Sequence, residues 1–460
     1  MPLIFSAALF WHLDAAAQNV PAANFSKVLF SRQANLKSHR EFAFALKQSG
    51  QVIAHFQISS DTDWENVKYP AVLLEAMIDE RLASHLVTYL GRQEKVAPFY
   101  SVHLGYLAAG RHDLGLQRAD SSKTPVQIRQ VRVDAYETGN PFYAVLAQAP
   151  IIFGRAHRDF AAVTSHGNWL NHDMRVSDVP LLLAYEQQYL NAGQELKYTA
   201  FFSNENGGTP PPGLLHLWGR YTDIEWAYRV ELDTNGKRRR SSFQAKDHAE
   251  RSYLGSFENE QPTLQVATLN NMFSDSLTTK LRFALPPIFK IPANGMRESV
   301  MLEAPWSWQV SAKEARREQR LNPHPTDSTR IADLRRYLYI QFIAEPESLG
   351  AKAGGYFVAK FKNQTNEYAS NLGSPALIIR SDKKMVRQTA IPLPAGTTPN
   401  DLERLDFVAD SQGGRIVLTH LLRFFALDDH DLPRDWPHKW QGKKIVAPKS
   451  RIIFYDDDLR

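Results

Sequence analysis

The chain has 460 residues, 43% of them hydrophobic and 22% charged, with a formal net charge of +5 and a pI near 9.1. At about 150 residues per domain this length suits two or three domains, and the composition is that of a folded chain rather than a disordered one. No cysteine is present, which removes disulfides, thiolate catalysis and cysteine-bound metals together.

The first residues, MPLIFSAALFWHLDAAAQN, hold a short apolar run from Pro2 to Leu13 and then Ala15-Ala16-Ala17, which resembles a cleavage site. Residues 1–21 therefore read as a signal segment, although the first basic residue is Lys27. That reading predicts a secreted or periplasmic protein. A cytoplasmic chain with a buried N-terminal segment is the alternative. No later apolar run approaches the roughly 20 residues of a membrane-spanning helix.

Short runs rich in β-branched and aromatic residues follow, bounded by Gly, Pro, Asn and Asp. Gln51–Phe56 and Gln127–Val133 are examples within residues 22–148, which read as a first β-sandwich with Gly110 at a turn. A second sandwich is expected over 149–310, opening at Ala149-Pro150-Ile151-Ile152. Within it Asn206-Gly207-Gly208 and the prolines after it read as a rigid loop. The charged stretch 311–334 reads as a helical linker, with Ser311 as N-cap of a helix to Gln319. A third sandwich is expected over 335–460, from YLYIQFI, GYFVAKF, ALIIR, RIVLTHLLRFFAL and RIIFY. The predicted fold class is thus mostly β, three sandwich-type modules with few helices.

The basic residues are scattered apart from Lys237–Arg240 and Lys313–Arg317. The first cluster follows the turn former Asn235-Gly236 and reads as a solvated hairpin tip. With no nucleic-acid motif beside it, no nucleic-acid partner is expected.

The chemistry concentrates in the middle module. In GRYTDIEWAYRVELD, residues 219–233, period-two reading places Ile224, Trp226, Tyr228, Val230 and Leu232 on one face. Asp223 and Glu225 then project together from the other, with Ala227, Arg229 and Glu231. Two such carboxylates could share a hard cation, calcium or magnesium, completed by His172 of SHGNWLNHD or His248 of AKDHAE. Asn204, Glu205 and Arg220 complete the candidate ligand-binding set. The bland reading of the same acids is a solvated strand face paired to Arg229. No nucleophile elbow, phosphate loop or zincin helix is present, and Ser/His/Asp sets can be drawn from any chain of this length.

Gly219-Arg220-Tyr221-Thr222-Asp223-Ile224-Glu225 resembles the GHRHDWE heptapeptide of necrosis- and ethylene-inducing-like proteins. It is also similar to the GDWEH element of the vacuolar protein sorting sixty-two family. The likeness spans residues 149–290 and takes in KYTAFFSNENGG and Asp247-His248. It implies a β-sandwich in which the D-x-E carboxylates help bind a divalent cation, and, by the first family, a secreted protein that recognises sphingolipid headgroups. Arg220 and Thr222 stand where that family has histidines, and Ile224 where it has tryptophan. An arginine beside the acids would compete with a cation.

The leading expectation is an exported multi-module protein that binds a surface glycan or lipid headgroup, with calcium or magnesium as candidate cofactor. A metal-dependent hydrolase or lyase using Asp223 and Glu225, with His172 or His248 as base, is one alternative. A structural envelope protein is the other.

Overall fold

The structure, a computed structural model, describes residues 20–66, 71–89, 91, 99–119, 123–155, 178–293, 295–322, 329–348, 351–410, 413–436 and 440–456. All but the last two residues of the expected signal segment, and the stretch SHGNWLNHD with His172, lie outside these residues. Strand accounts for 52% and helix for 11%, so the mostly β expectation holds. The chain divides into two compact units, Met1–Gly208 with Asp223–Ala293, and Thr209–Thr222 with Asn294–Arg460.

The first unit opens with β1 (Phe25–Phe30), β2 (Ala34–Asn35), β3 (His39–Leu46), β4 (Gly50–Ser60), β5 (Leu73–Ile78), β6 (Arg81–Val87), β7 (Phe99–Leu107), β8 (Gly110–Arg118) and β9 (Val126–Tyr136). They form two sheets, ordered β1-β9-β4-β7 and β3-β8-β5-β6. Alternation is plain in β3 and β5. Phe42, Phe44 and Leu46, like Leu74, Ala76 and Ile78, are buried while their neighbours are not.

The unit continues through a short helix α1 (Tyr143–Ala147), then β10 (Ile151–Phe153), β11 (Pro180–Leu190), β12 (Gly193–Phe202), β13 (Asp223–Leu232), β14 (Arg238–Gln244) and β15 (Glu250–Ser252). After these come β16 (Phe257–Glu258), β17 (Gln261–Val266), β18 (Phe273–Ser274), β19 (Arg282–Phe283) and β20 (Phe289–Lys290). One sheet runs β15-β14-β13-β12-β11-β20, the other β16-β17-β10-β19 with β18 beside β17.

Between β12 and β13 the chain leaves the first unit and contributes α2 (Pro211–Trp218) to the second. The expected rigid proline loop is thus a helix. Pro211 stands at its first position, where no N–H is needed, and Gly219 ends it at φ 59° in the left-handed region. A Cβ on Gly219 would lie 2.6 Å from Gln388 Cγ, so the approach also demands glycine.

The second unit holds α3 (Ser299–Glu303) and α4 (Trp306–Arg317). Its strands are β21 (Tyr337–Pro346), β22 (Ala353–Phe361), β23 (Glu367–Ala369), β24 (Ile379–Ser381), β25 (Met385–Pro392), β26 (Leu402–Ala409), β27 (Ile416–Leu427), β28 (Pro433–Trp436), β29 (Trp440–Val446) and β30 (Arg451–Asp456). Two sheets, β25-β21-β27-β28 and β23-β22-β26-β30, enclose Leu338, Ile340, Phe342, Phe357, Phe361, Leu405, Phe407 and Leu418. Phe357 meets Phe342 and Phe407 edge to face at 5.0 and 5.1 Å.

α4 corrects the helix start expected at Ser311. It begins five residues earlier, and Ser311 is interior, its Oγ donating to the Ser307 carbonyl and meeting Thr222 Oγ1. Trp308 is fully buried against Tyr339 and Phe425. Glu314 and Arg317 pair at 2.7 Å with both side chains fully buried. ALIIR is likewise part 3₁₀ turn, Pro375–Leu377, because Ser374 accepts the Ala376 N–H ahead of β24.

Candidate functional site

Strand β13 does form across Asp223–Leu232, but its alternation breaks. Register pairs Phe202 with Asp223, Ala200 with Glu225 and Thr199 with Trp226, then Tyr198 with Tyr228, so β13 carries one extra residue at a bulge. The bulge resets the two faces. Trp226 therefore parts from Tyr228 and lies half-buried under Arg229, whose guanidinium sits 5.5 Å from the indole centroid. The bulge answers to the β12 partner, which no local pattern in β13 records.

Arg229 faces Ser242 across the β13–β14 ladder, and Gln244 lies two residues further on the same side. Ser242 Oγ donates to Glu250 at 2.7 Å, and Arg229 reaches the same carboxylate at 3.1 Å. Gln244 Nε2 donates to Glu225 Oε2 at 2.8 Å and lies 2.8 Å from His248 Nδ1. A carboxylate accepts only, so the amide must turn an N–H toward Glu225, and its second N–H faces the imidazole. The ring proton of His248 is thereby left on Nε2, on an exposed residue. Asp247 and His248 both hold left-handed backbone, at φ 60° and 58°, an arrangement costly for two consecutive non-glycine residues. Two of the expected site residues, Glu225 and His248, are thus joined through one buried glutamine that sequence reading missed.

Asp223 has a different fate. It is 1% exposed, and Asn271 Nδ2 donates to its Oδ2 at 2.8 Å and to the Asn204 carbonyl at 3.1 Å. Asn271 Oδ1 accepts from Arg155 at 3.0 Å, and Arg155 pairs with Asp178 at 2.6 Å, both side chains fully buried. Asn206 Nδ2 also reaches Asp178, at 2.9 Å. Asn204 belongs to this interior network, and Glu205 turns its carboxylate toward Gly208. Arg220, in the second unit, is buried, pairs with Glu298 at 3.0 Å and donates to the Thr222 carbonyl. The GRYTDIE stretch thus splits, its first four residues in one unit and its last three in the other. Among the described residues no group of three or more His, Asp or Glu side chains is placed to hold a metal ion. His172, one of the four expected ligands, lies outside those residues.

A second polar constellation crosses the first sheet. Ser26 on β1, Asp134 on β9, His55 on β4 and Ser101 on β7 stand on four adjacent strands. Ser26 Oγ donates to Asp134 Oδ1 at 2.6 Å, His55 Nε2 lies 3.0 Å from Asp134 Oδ2, and Ser101 Oγ lies 2.9 Å from His55 Nδ1. Arg132 approaches Asp134 at 3.0 Å, and Phe99 sets its ring edge-on to His55. Burial lowers the His55 pKa despite the pull of Asp134, so the ring is neutral at neutral pH. Asp134 keeps a lowered pKa, its burial outweighed by contact with His55 and Ser26 and by the Arg132 charge.

No family model and no curated protein matches this chain. Among solved structures, the chain is similar to a CBM36-1 domain of a multidomain xylanase from the hindgut metagenome of Trinervitermes trinervoides. Identity is 10%, over 26% of this chain and 98% of that one, with a TM-score of 0.18. It is also similar to the tandem CBM22-1-CBM22-2 domain from Paenibacillus barcinonensis, at 8% identity over 94% and 99%, TM-score 0.15. The sugar-binding C-terminal domain of EclA matches at 13% identity over 26% and 74%, TM-score 0.14. Overlaps this loose carry no weight for fold or ligand. No helix among the described residues is long and apolar enough to cross a membrane.

Proposed function

We propose that this chain is a multi-module binding protein that recognises a glycan through the Trp226–Arg229–Gln244 face of β13 and β14. The observation that carries the reading is Gln244, which locks Glu225 and His248 at 2.8 Å each beside a left-handed turn. Glu225 offers an acceptor and His248 Nε2 a donor, while Ser242, Glu250 and Arg229 continue the array next to the half-buried Trp226 ring. Fixed donors and acceptors beside an aromatic surface suit a polyhydroxylated ligand, whose hydroxyls need directional partners and whose C–H faces need an apolar one. Export to a compartment where surface glycans are met belongs to the same reading.

A glycan array probed with the whole protein, followed by titration of the captured sugar, tests it. Hydrogen bonds to charged groups are worth about 1.5–3 kcal/mol and neutral ones about 0.5–1.5, so E225Q should weaken binding about tenfold or more and H248A about two- to tenfold. Repeating the titration in chelator separates a cation-linked site from a metal-free one. Capture by anionic or sphingolipid vesicles with no sugar captured would replace the glycan with a lipid headgroup. Binding unchanged in both variants would overturn the reading.

A further inference from the structure

We propose that Ser101, His55 and Asp134 form a nucleophile–base–carboxylate relay that hydrolyses short-chain acyl esters on one face of the first sheet, entered at the half-buried Ser101. The placement is fixed by β register. Ser101 lies directly opposite His55 on β7 and β4, and Asp134 is the diagonal neighbour of His55 on β9, where Arg132 is its direct partner. Side chains so placed share one face; Ser101 Oγ hydrogen-bonds His55 Nδ1 at 2.9 Å, while His55 Nε2 stands 3.0 Å from the Asp134 carboxylate without the alignment of a hydrogen bond, a contact that must tighten when the ring takes a proton. The ring is turned so that Nδ1 meets the serine and Nε2 the aspartate. The two nitrogens exchange roles relative to the usual serine-hydrolase arrangement, and the proton path is equivalent. A neutral His55 can accept the hydroxyl proton, and an ionised Asp134 can stabilise the imidazolium that forms.

The surroundings supply the remaining parts. Ser101 and Phe99 are half-buried, so the hydroxyl is reachable and a ring stands beside it to meet an acyl group. Arg132 lies 6.0 Å from the Phe99 centroid, its Nε buried and its guanidinium end, partly exposed, 3.0 Å from Asp134. It is the cation at hand for a developing oxyanion. Ser26 fixes Asp134 from the far side, acting as a positioning residue.

In the first half-reaction Ser101 Oγ bonds to the ester carbonyl carbon while its proton passes to His55 Nδ1. Collapse of the tetrahedral adduct breaks the ester C–O bond, and the leaving alcohol takes the proton from Nδ1. Water then attacks the acyl-serine, gives its proton to Nδ1, and releases the carboxylic acid as Ser101 is restored.

The test uses the whole protein, a fluorophosphonate probe and p-nitrophenyl acetate. Ser101 should be the labelled serine on peptide mapping, and S101A, which removes one oxygen, should abolish labelling and turnover. D134N should lower kcat about 10²–10⁴-fold. Turnover should fall as pH drops through the titration of His55, and S101C should become a thiol alkylated faster than free cysteine. A row that only braces the sheet would move none of these readouts. Absence of labelling at Ser101 in the folded protein, or turnover retained in S101A, would overturn the proposal. Neither result bears on glycan capture at Glu225 and His248, which uses a different sheet.

Discussion

His103 should make the first unit acid-sensitive by an amount the structure allows to be worked out. On β7 it is 1% exposed, its Nε2 3.0 Å from Gln51 Oε1 and its Nδ1 2.9 Å from Gln261 Nε2. That set satisfies a neutral ring, which donates to one amide and accepts from the other. Burial, helped by the charge of Arg282, pulls its pKa from 6.5 down to about 3. A depressed histidine stabilises the fold fully above its unfolded pKa and progressively less as pH falls toward the folded value. At about 1.4 kcal/mol per pH step, lowering pH from 7.5 to 5 removes about 2 kcal/mol through this one residue. Urea unfolding at both pH values, followed by hydrogen exchange of β7 peptides, measures it. H103Q lacks the titration, so its stability should change by about 2 kcal/mol less than that of wild type. Equal pH dependence in the two proteins would refute the reasoning.

Other residues give sharper or opposite signatures. D178A removes a carboxylate 2.6 Å from the fully buried Arg155 guanidinium and should cost about 3–5 kcal/mol in chemical denaturation, whereas D178N, which keeps an acceptor, should cost less. His112 points Nδ1 at Asp79 Oδ2, 2.7 Å away, and Nε2 at the Ala108 carbonyl, 2.8 Å away. Burial lowers its pKa, but the two acceptors more than offset this and raise it. Its stabilisation should therefore be complete below pH 6.5 and fade as pH rises through the folded value, by nitrogen chemical shifts in wild type against stability in H112Q. G193A should destabilise the first unit by more than about 1 kcal/mol, because Gly193 holds φ 136° and a Cβ would fall 1.9 Å from the Leu232 carbonyl oxygen. A melting shift of less than a degree would count against that steric reading.

Strand content was legible because runs such as HREFAFAL alternate cleanly, and alternation depends only on the strand itself. Helix α2 was also legible in principle, since PPGLLHLWG carries proline at its first turn and glycine at its end, signals outweighed here by reading the prolines as loop. α4 hid its start because WSWQV is buried on most sides, leaving no amphipathic stripe before Ser311. The acids at 223 and 225 stood out by spacing, yet their fates diverged through partners elsewhere in the chain, Asn271 for one and Gln244 for the other. The Ser101–His55–Asp134 row had no local signal at all. Its members come from three strands whose pairing is set by long-range register.

The most direct measurement is calorimetric titration of a captured glycan against wild type and Q244L. Gln244 is buried at 3% exposure, so it acts by holding Glu225 and His248. The account predicts a loss of affinity of about tenfold or more in Q244L, with the first unit, which carries the site, still folded by its melting transition. Undiminished affinity in a folded Q244L protein would contradict it.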